Sequence, residues 1–167
     1  MSATSWELDA ARLVLAHRWA ALATLGDDGP AASMVAYAPE LDLSSLVLFL
    51  SGLSHHTGNL IAEPRTALVI SESDPGTGDP QTLARLSVKG TAEMVDRSST
   101  AFDGAWQTYV ARLPDAAPRI VLGDFSLFRV RLVSAHYVGG FAQAGTIPMG
   151  RLSAAALEAN GDLLSEA

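Results

Sequence analysis

The stretch Leu50-Ser-Gly-Leu-Ser-His-His-Thr-Gly-Asn-Leu-Ile-Ala-Glu-Pro64 decides how this chain is read. It continues Leu46-Val47-Leu48-Phe49-Leu50, a run apolar on both faces and so a buried strand. Ser51 to Ser54 closes that strand, and Ser54 caps a short helix over His55 to Ala62 that Pro64 stops. A helix N-terminus presents unpaired N–H groups and a positive dipole end, which suits a phosphate. The hydroxyls of Ser51, Ser54 and Thr57 and the imidazoles of His55 and His56 gather there. The plain alternative is a Ser-capped helix with solvated histidines, and the local sequence by itself favours it.

Upstream, Leu8, Ala11, Leu15, Trp19 and Leu22 recur at helical steps and predict an opening helix. Ala20 to Leu25, the turn Gly26-Asp27-Asp28-Gly29-Pro30 and the alternating Ala31 to Ala38 predict a hairpin. Downstream, Thr66 to Ser71 and Arg85 to Val95 read as strands, with Gly90 marking a bulge or a close backbone approach. Ser98 to Leu113 reads as a second long helix. Phe125 to Val133 and Ala135 to Phe141 read as the last strands, turning at Val133-Ser134. Residues 1–145 form the predicted domain, and 146–167 a C-terminal tail or short helix. The short connections favour antiparallel pairing, hence an α+β barrel rather than a doubly wound sheet.

Composition removes whole classes of function. With 18 acidic against 11 basic residues and a net charge of -7, the chain has little to offer a nucleic-acid backbone. It contains no Cys, so disulfides, iron–sulfur clusters and Cys-ligated zinc are excluded. The longest apolar run, Leu46 to Leu50, is too short to span a bilayer, and Met1 to Glu7 lacks signal-peptide features, so a soluble, cytoplasmic protein is expected. No metal-binding spacing, nucleophile elbow or Walker loop is present, and no catalytic residue stands out.

Two further elements can carry chemistry. Arg85, Ser87 and Lys89 sit two residues apart on one strand face, where two cations can meet a dianion; a solvated edge-strand face is the bland reading. In His136-Tyr-Val-Gly-Gly-Phe-Ala-Gln-Ala144, Gly139-Gly140 permits close backbone approach and Phe141 can stack on a flat ring; an ordinary bulge with a core Phe is the alternative.

The ordered set Ala23-Thr-Leu25, Gly29-Pro30, Ser33-Met-Val-Ala-Tyr37, Ser51 to Leu60, Glu63-Pro-Arg-Thr-Ala-Leu68, Arg85 and Val138 to Ala144 resembles the FMN-binding split-barrel superfamily of the pyridoxamine 5′-phosphate oxidases, and within it the haem-utilisation branch. The resemblance implies a six-stranded antiparallel split β-barrel with flanking helices, paired as a homodimer with ligand sites at the interface. It implies that Ser33, Met34, Val35 and Ala36 lie along a flavin. Ser54, His55, His56 and Thr57 would hold its phosphate with Asn59 close by, Arg85 would also contact the flavin, and Gly140 and Phe141 would approach from the last strand; Ser51 and Lys89 join the candidate cofactor-binding residues from the local reading above. Gly52 and Gly58 stand where that branch usually has Arg, and His55-His56 where the vitamin-forming oxidases have Arg-Lys. The implied function is an FMN-dependent oxidoreductase acting on an unidentified small molecule. The alternatives are a haem-binding protein, with His136 or His55 and His56 as iron ligands, and a non-enzymatic flavin-binding dimer.

Overall fold

The computed structural model describes residues 3–140 and 143–165; Phe141 falls outside the described residues. The chain runs α1 (Ser5–Ala16), β1 (Trp19–Gly26), β2 (Gly29–Ala36), β3 (Ala38–Pro39), β4 (Ser45–Ser51), α2 (His55–Ala62), β5 (Arg65–Ser71), β6 (Arg85–Met94), α3 (Thr100–Arg112), β7 (Phe125–Val138), β8 (Ala144–Ile147) and α4 (Met149–Ser165). The strands form one antiparallel sheet ordered β2-β1-β5-β6-β7-β4-β3, with β8 added to β7. The sheet curls until β2 and β4 touch, but no ladder joins them among the described residues, and the barrel stays split at that seam. The expected α+β split barrel is present. Six of its strands are long, and β3 and β8, of two and four residues, are additions.

Alternation sets inside from outside. Ala20, Leu22 and Thr24 of β1, Leu68 and Ile70 of β5, and Leu86 and Val88 of β6 point into the barrel and are buried. β4 is buried along both faces because one meets the barrel core and the other meets α3. On the α3 side Phe49 packs edge-on against Trp106 and Tyr109, with ring centroids 5.1 and 5.8 Å apart. α4 lies on α1, adding Leu152, Ala155, Ala156 and Ala159 to the main core. Arg151 locks this pair through two bonds of 2.9 and 2.8 Å to the buried Glu7. The boundary read from sequence after residue 145 falls inside β8.

Two expectations need correction. The opening helix stops at Ala16, and Trp19 and Leu22 belong to β1. Arg112 of α3 ends it from the side: its Nη2 donates to the carbonyls of Leu15 and His17, which a continuing helix would have bonded itself. The final hairpin does not exist either. β7 is one strand of 14 residues. Val133 is skipped in the pairing, Lys89 facing Ser134 and Gly90 facing Leu132, so the turn read there is a bulge. Gly90 permits it: a Cβ at this position would sit 2.5 Å from the Arg131 carbonyl oxygen.

Candidate functional site

The predicted residues fall into two places. The first is a cleft of about 390 Å³ where α2 begins, beside the β1–β2 turn. Ser54, the N-cap of α2, makes no capping bond with its side chain. His55 and Asn59 also line the cleft, and Asn59 donates to Thr24 Oγ1 at 3.0 Å, holding α2 against the barrel end. Thr57 is buried and donates to the Ser51 carbonyl at 2.6 Å, so its hydroxyl is structural. Ser51 donates to Asp124 Oδ2 at 2.6 Å, and the Gly52 N–H to the Asp124 carbonyl at 2.6 Å. Burial holds His56 below its ordinary pKa and keeps it neutral at pH 7.

This cleft fits a flavin phosphate poorly. Its donors are N–H groups and one serine hydroxyl. The lining includes Asp27 but no Lys or Arg, and the nearby Ser51 already serves a carboxylate. Arg85 cannot supply the missing charge within one chain. It pairs with Ser71 on β5, and the β5–β1 register places Ser71 level with Trp19, seven residues from Gly26. At about 3.3 Å per residue that is roughly 20 Å from the start of α2, and on the outer side of the sheet.

The second place is that outer side. The register builds a row across the sheet, Met34–Ala21–Val69–Ser87–His136–Thr146, each residue facing its neighbour on the next strand. Their alternation with buried neighbours turns these side chains outward. Arg85 and Lys89 flank Ser87 on β6, so they are diagonal neighbours of His136 at about 7–8 Å. Arg85 Nη1 donates to the carbonyls of Gln81 and Leu83 at 3.0 and 3.1 Å. Neither cation makes an ion pair among the described residues. Around them lie exposed apolar side chains: Trp19 at 56%, Met34 at 48%, Val69 at 39% and Val133 at 61%. A grouped apolar patch of this kind marks an interaction surface. An acidic protein thus presents an imidazole, a guanidinium and an ammonium on an otherwise greasy sheet face.

Of Ser33 to Ala36, Met34 joins that face. Val35 is buried in the core, and Ser33 Oγ is buried without a hydrogen-bond partner among the described residues. Among the described residues β2 pairs only with β1, leaving its other backbone edge without a ladder partner there. Gly140, at φ 109°, lies beyond the end of β7 beside the Thr82 carbonyl, away from α2. Sequence reasoning missed the Asp124 tie and the outward place of Trp19 and Val69. The period-two alternation of β1 and β5 carried the second signal; nothing local carried the first.

Residues 9–139 match the pyridoxamine 5′-phosphate oxidase family. Over 115 residues the chain is 34% identical to the non-canonical heme oxygenase HOZ, chloroplastic, of Arabidopsis thaliana, covering 69% of this chain and 33% of that protein. It is 27% identical over 116 residues to the heme oxygenase HutZ of Vibrio cholerae, covering 66% and 64%. A heme binding protein from Mycobacterium smegmatis superposes with a TM-score of 0.80 at 25% identity, over 92% of this chain and 62% of that one. The chain therefore spans about a third of HOZ and a little under two thirds of the other two. The chain belongs to the pyridoxamine 5′-phosphate oxidase family and lies close to its haem-utilisation branch.

Proposed function

We propose that this protein binds haem on the outer face of its sheet, in a homodimer, as a member of the haem-utilisation branch. The observation that carries the proposal is the convergence of His136, Arg85 and Lys89 on one apolar face. Haem is a flat apolar ring with a metal at its centre and two carboxylates on one edge. The imidazole of His136 can ligate the iron, Arg85 and Lys89 can meet the propionates, and Val69, Met34 and Trp19 can cover the ring. Bound haem would bring oxygen and electron chemistry; this chain's residues bind and orient it. The haem-related relatives support the same reading. A second copy seated on the face would cover the exposed apolar side chains, which is the basis for the dimer. The cytoplasmic placement is part of the proposal and rests on a Cys-free chain that needs no oxidising compartment.

The test is a haemin titration of the full chain, followed at the Soret band. Wild type should give a saturable histidine-ligated spectrum, and His136→Ala should lose it while His55→Ala and His56→Ala keep it. Removing both Arg85 and Lys89 should weaken binding by at least about tenfold, since each charge-assisted contact contributes roughly 1.5–3 kcal/mol. Unchanged spectra and affinity in the His136 and Arg85/Lys89 variants would remove the proposal. Light scattering that gives only monomer mass would remove the dimer.

An FMN-dependent oxidoreductase is the second reading, favoured by the open N-terminus of α2 and the unused Ser54 hydroxyl. Quenching of flavin fluorescence on FMN addition, abolished by Ser54→Asp, would support it over haem binding.

A further inference from the structure

A second cleft, of about 430 Å³, opens between α1 and the end of β5, at the opposite end of the strands from α2. Asp9, Arg12 and Leu13 of α1, with His17 just beyond its end, form one side, Glu72 and Ala84 another, and Tyr137 lies at its base. Tyr137 alternates with His136, so it points inward where His136 points out. It is only 4% exposed. Its hydroxyl makes no hydrogen bond to a described residue, yet it is not one of the sealed unpartnered atoms, which are Ser33 Oγ and Arg112 Nε. It therefore opens into the cleft.

Two carboxylates, Asp9 and Glu72, share the cleft with that hydroxyl. Burial first, then the charges of Asp9 and Glu72, hold the Tyr137 phenol above its ordinary pKa, so both carboxylates act on it. Glu72 Oε2 is engaged by the Ala84 N–H at 2.9 Å, leaving Oε1 to the cleft. His17 Nδ1 lies 2.9 Å from the Leu13 carbonyl. A carbonyl only accepts, so Nδ1 carries the proton in this contact. Arg12 also lines the cleft, with its Nη2 paired to Asp162 Oδ2 at 3.2 Å. No three His, Asp or Glu side chains among the described residues come close enough together to hold a metal ion. A cleft that sets two carboxylates beside a phenol oxygen suits a ligand carrying N–H donors.

We infer that this cleft binds a small organic amine. Its ammonium donates to Asp9, Glu72 and the Tyr137 oxygen, and its carbon chain lies along Leu13 and Ala84. Such charge-assisted bonds in a partly enclosed cleft are the stronger kind. The site is separate from the sheet face, so the inference stands whether or not haem binds there.

The experiment is calorimetric titration of the full chain with 1,4-diaminobutane, beside the uncharged 1,4-butanediol. Saturable binding of the diamine and none of the diol is expected. Tyr137→Phe should weaken diamine binding roughly tenfold and Asp9→Asn at least as much. Asp9 is exposed and the Phe ring keeps the packing, so circular dichroism should show both variants folded. Absence of saturation, equal binding of the diol, or wild-type affinity in both folded variants would overturn the inference.

Discussion

Gly90→Ala tests the bulge on which the outer face depends. The new Cβ would sit 2.5 Å from the Arg131 oxygen and 2.8 Å from Val130 Cγ1, where ordinary contact begins at 3.4 Å. The Arg131 oxygen belongs to the backbone of β7, so no side-chain rotation relieves the overlap. β6 and β7 must separate by roughly 0.9 Å at this point. A shift of that size breaks one or two ladder bonds at about 1 kcal/mol each, on top of about 1–3 kcal/mol for overpacking. We expect a loss of about 2–5 kcal/mol, which in a chain of this length lowers the thermal midpoint by roughly 4–20 °C. Gly104→Ala is the control. This exposed glycine lies inside α3 with nothing within 4 Å of its added Cβ, and the change should stabilise by about 0.5–1 kcal/mol. Thermal unfolding followed by far-ultraviolet circular dichroism reads both. If Gly90→Ala melts within about 1 °C of wild type, the close approach of the two strands is not real.

The remaining predictions concern α4. Leu152 is fully buried beneath it, so Leu152→Ala should cost roughly 2–5 kcal/mol, read by urea unfolding; a smaller loss would mean the helix is only loosely seated. Arg151 holds the Glu7 carboxyl down to about pKa 2 from an ordinary 4.5. The folded value is depressed, so the contribution is whole above about pH 4.5 and fades as pH falls towards 2. The stability difference between wild type and Glu7→Gln should shrink over that interval; a difference that stays constant with pH would contradict the pairing.

Much of the fold was legible because alternation and turn residues are local signals. β4 declared its two buried faces, and Gly90 declared its bulge. The errors came from ambiguities that only tertiary structure resolves. Trp19 and Leu22 fit a helical step as well as they fit β1, and the stop at Ala16 comes from Arg112, distant in sequence. Val133-Ser134 interrupts the alternation as a turn would, but the partner strand absorbs the extra residue. The site was less legible than the fold. Residue types pointed to Ser54 and Arg85, and only the register showed that the sheet carries them to opposite ends. His136 gained its setting from the same register, through Ser87.

β7 pairs with β6 along Phe128–Val138, while its other edge is shared by β4 at Phe125–Arg131 and β8 at Ala135–Val138. Both edges are therefore occupied over most of its length, and it cannot fray without tearing three neighbours at once. Its amides should be among the last to exchange with deuterated solvent, through whole-molecule opening alone. His136 would then ride on the least yielding strand of the protein, which holds its imidazole in a fixed place on the outer face.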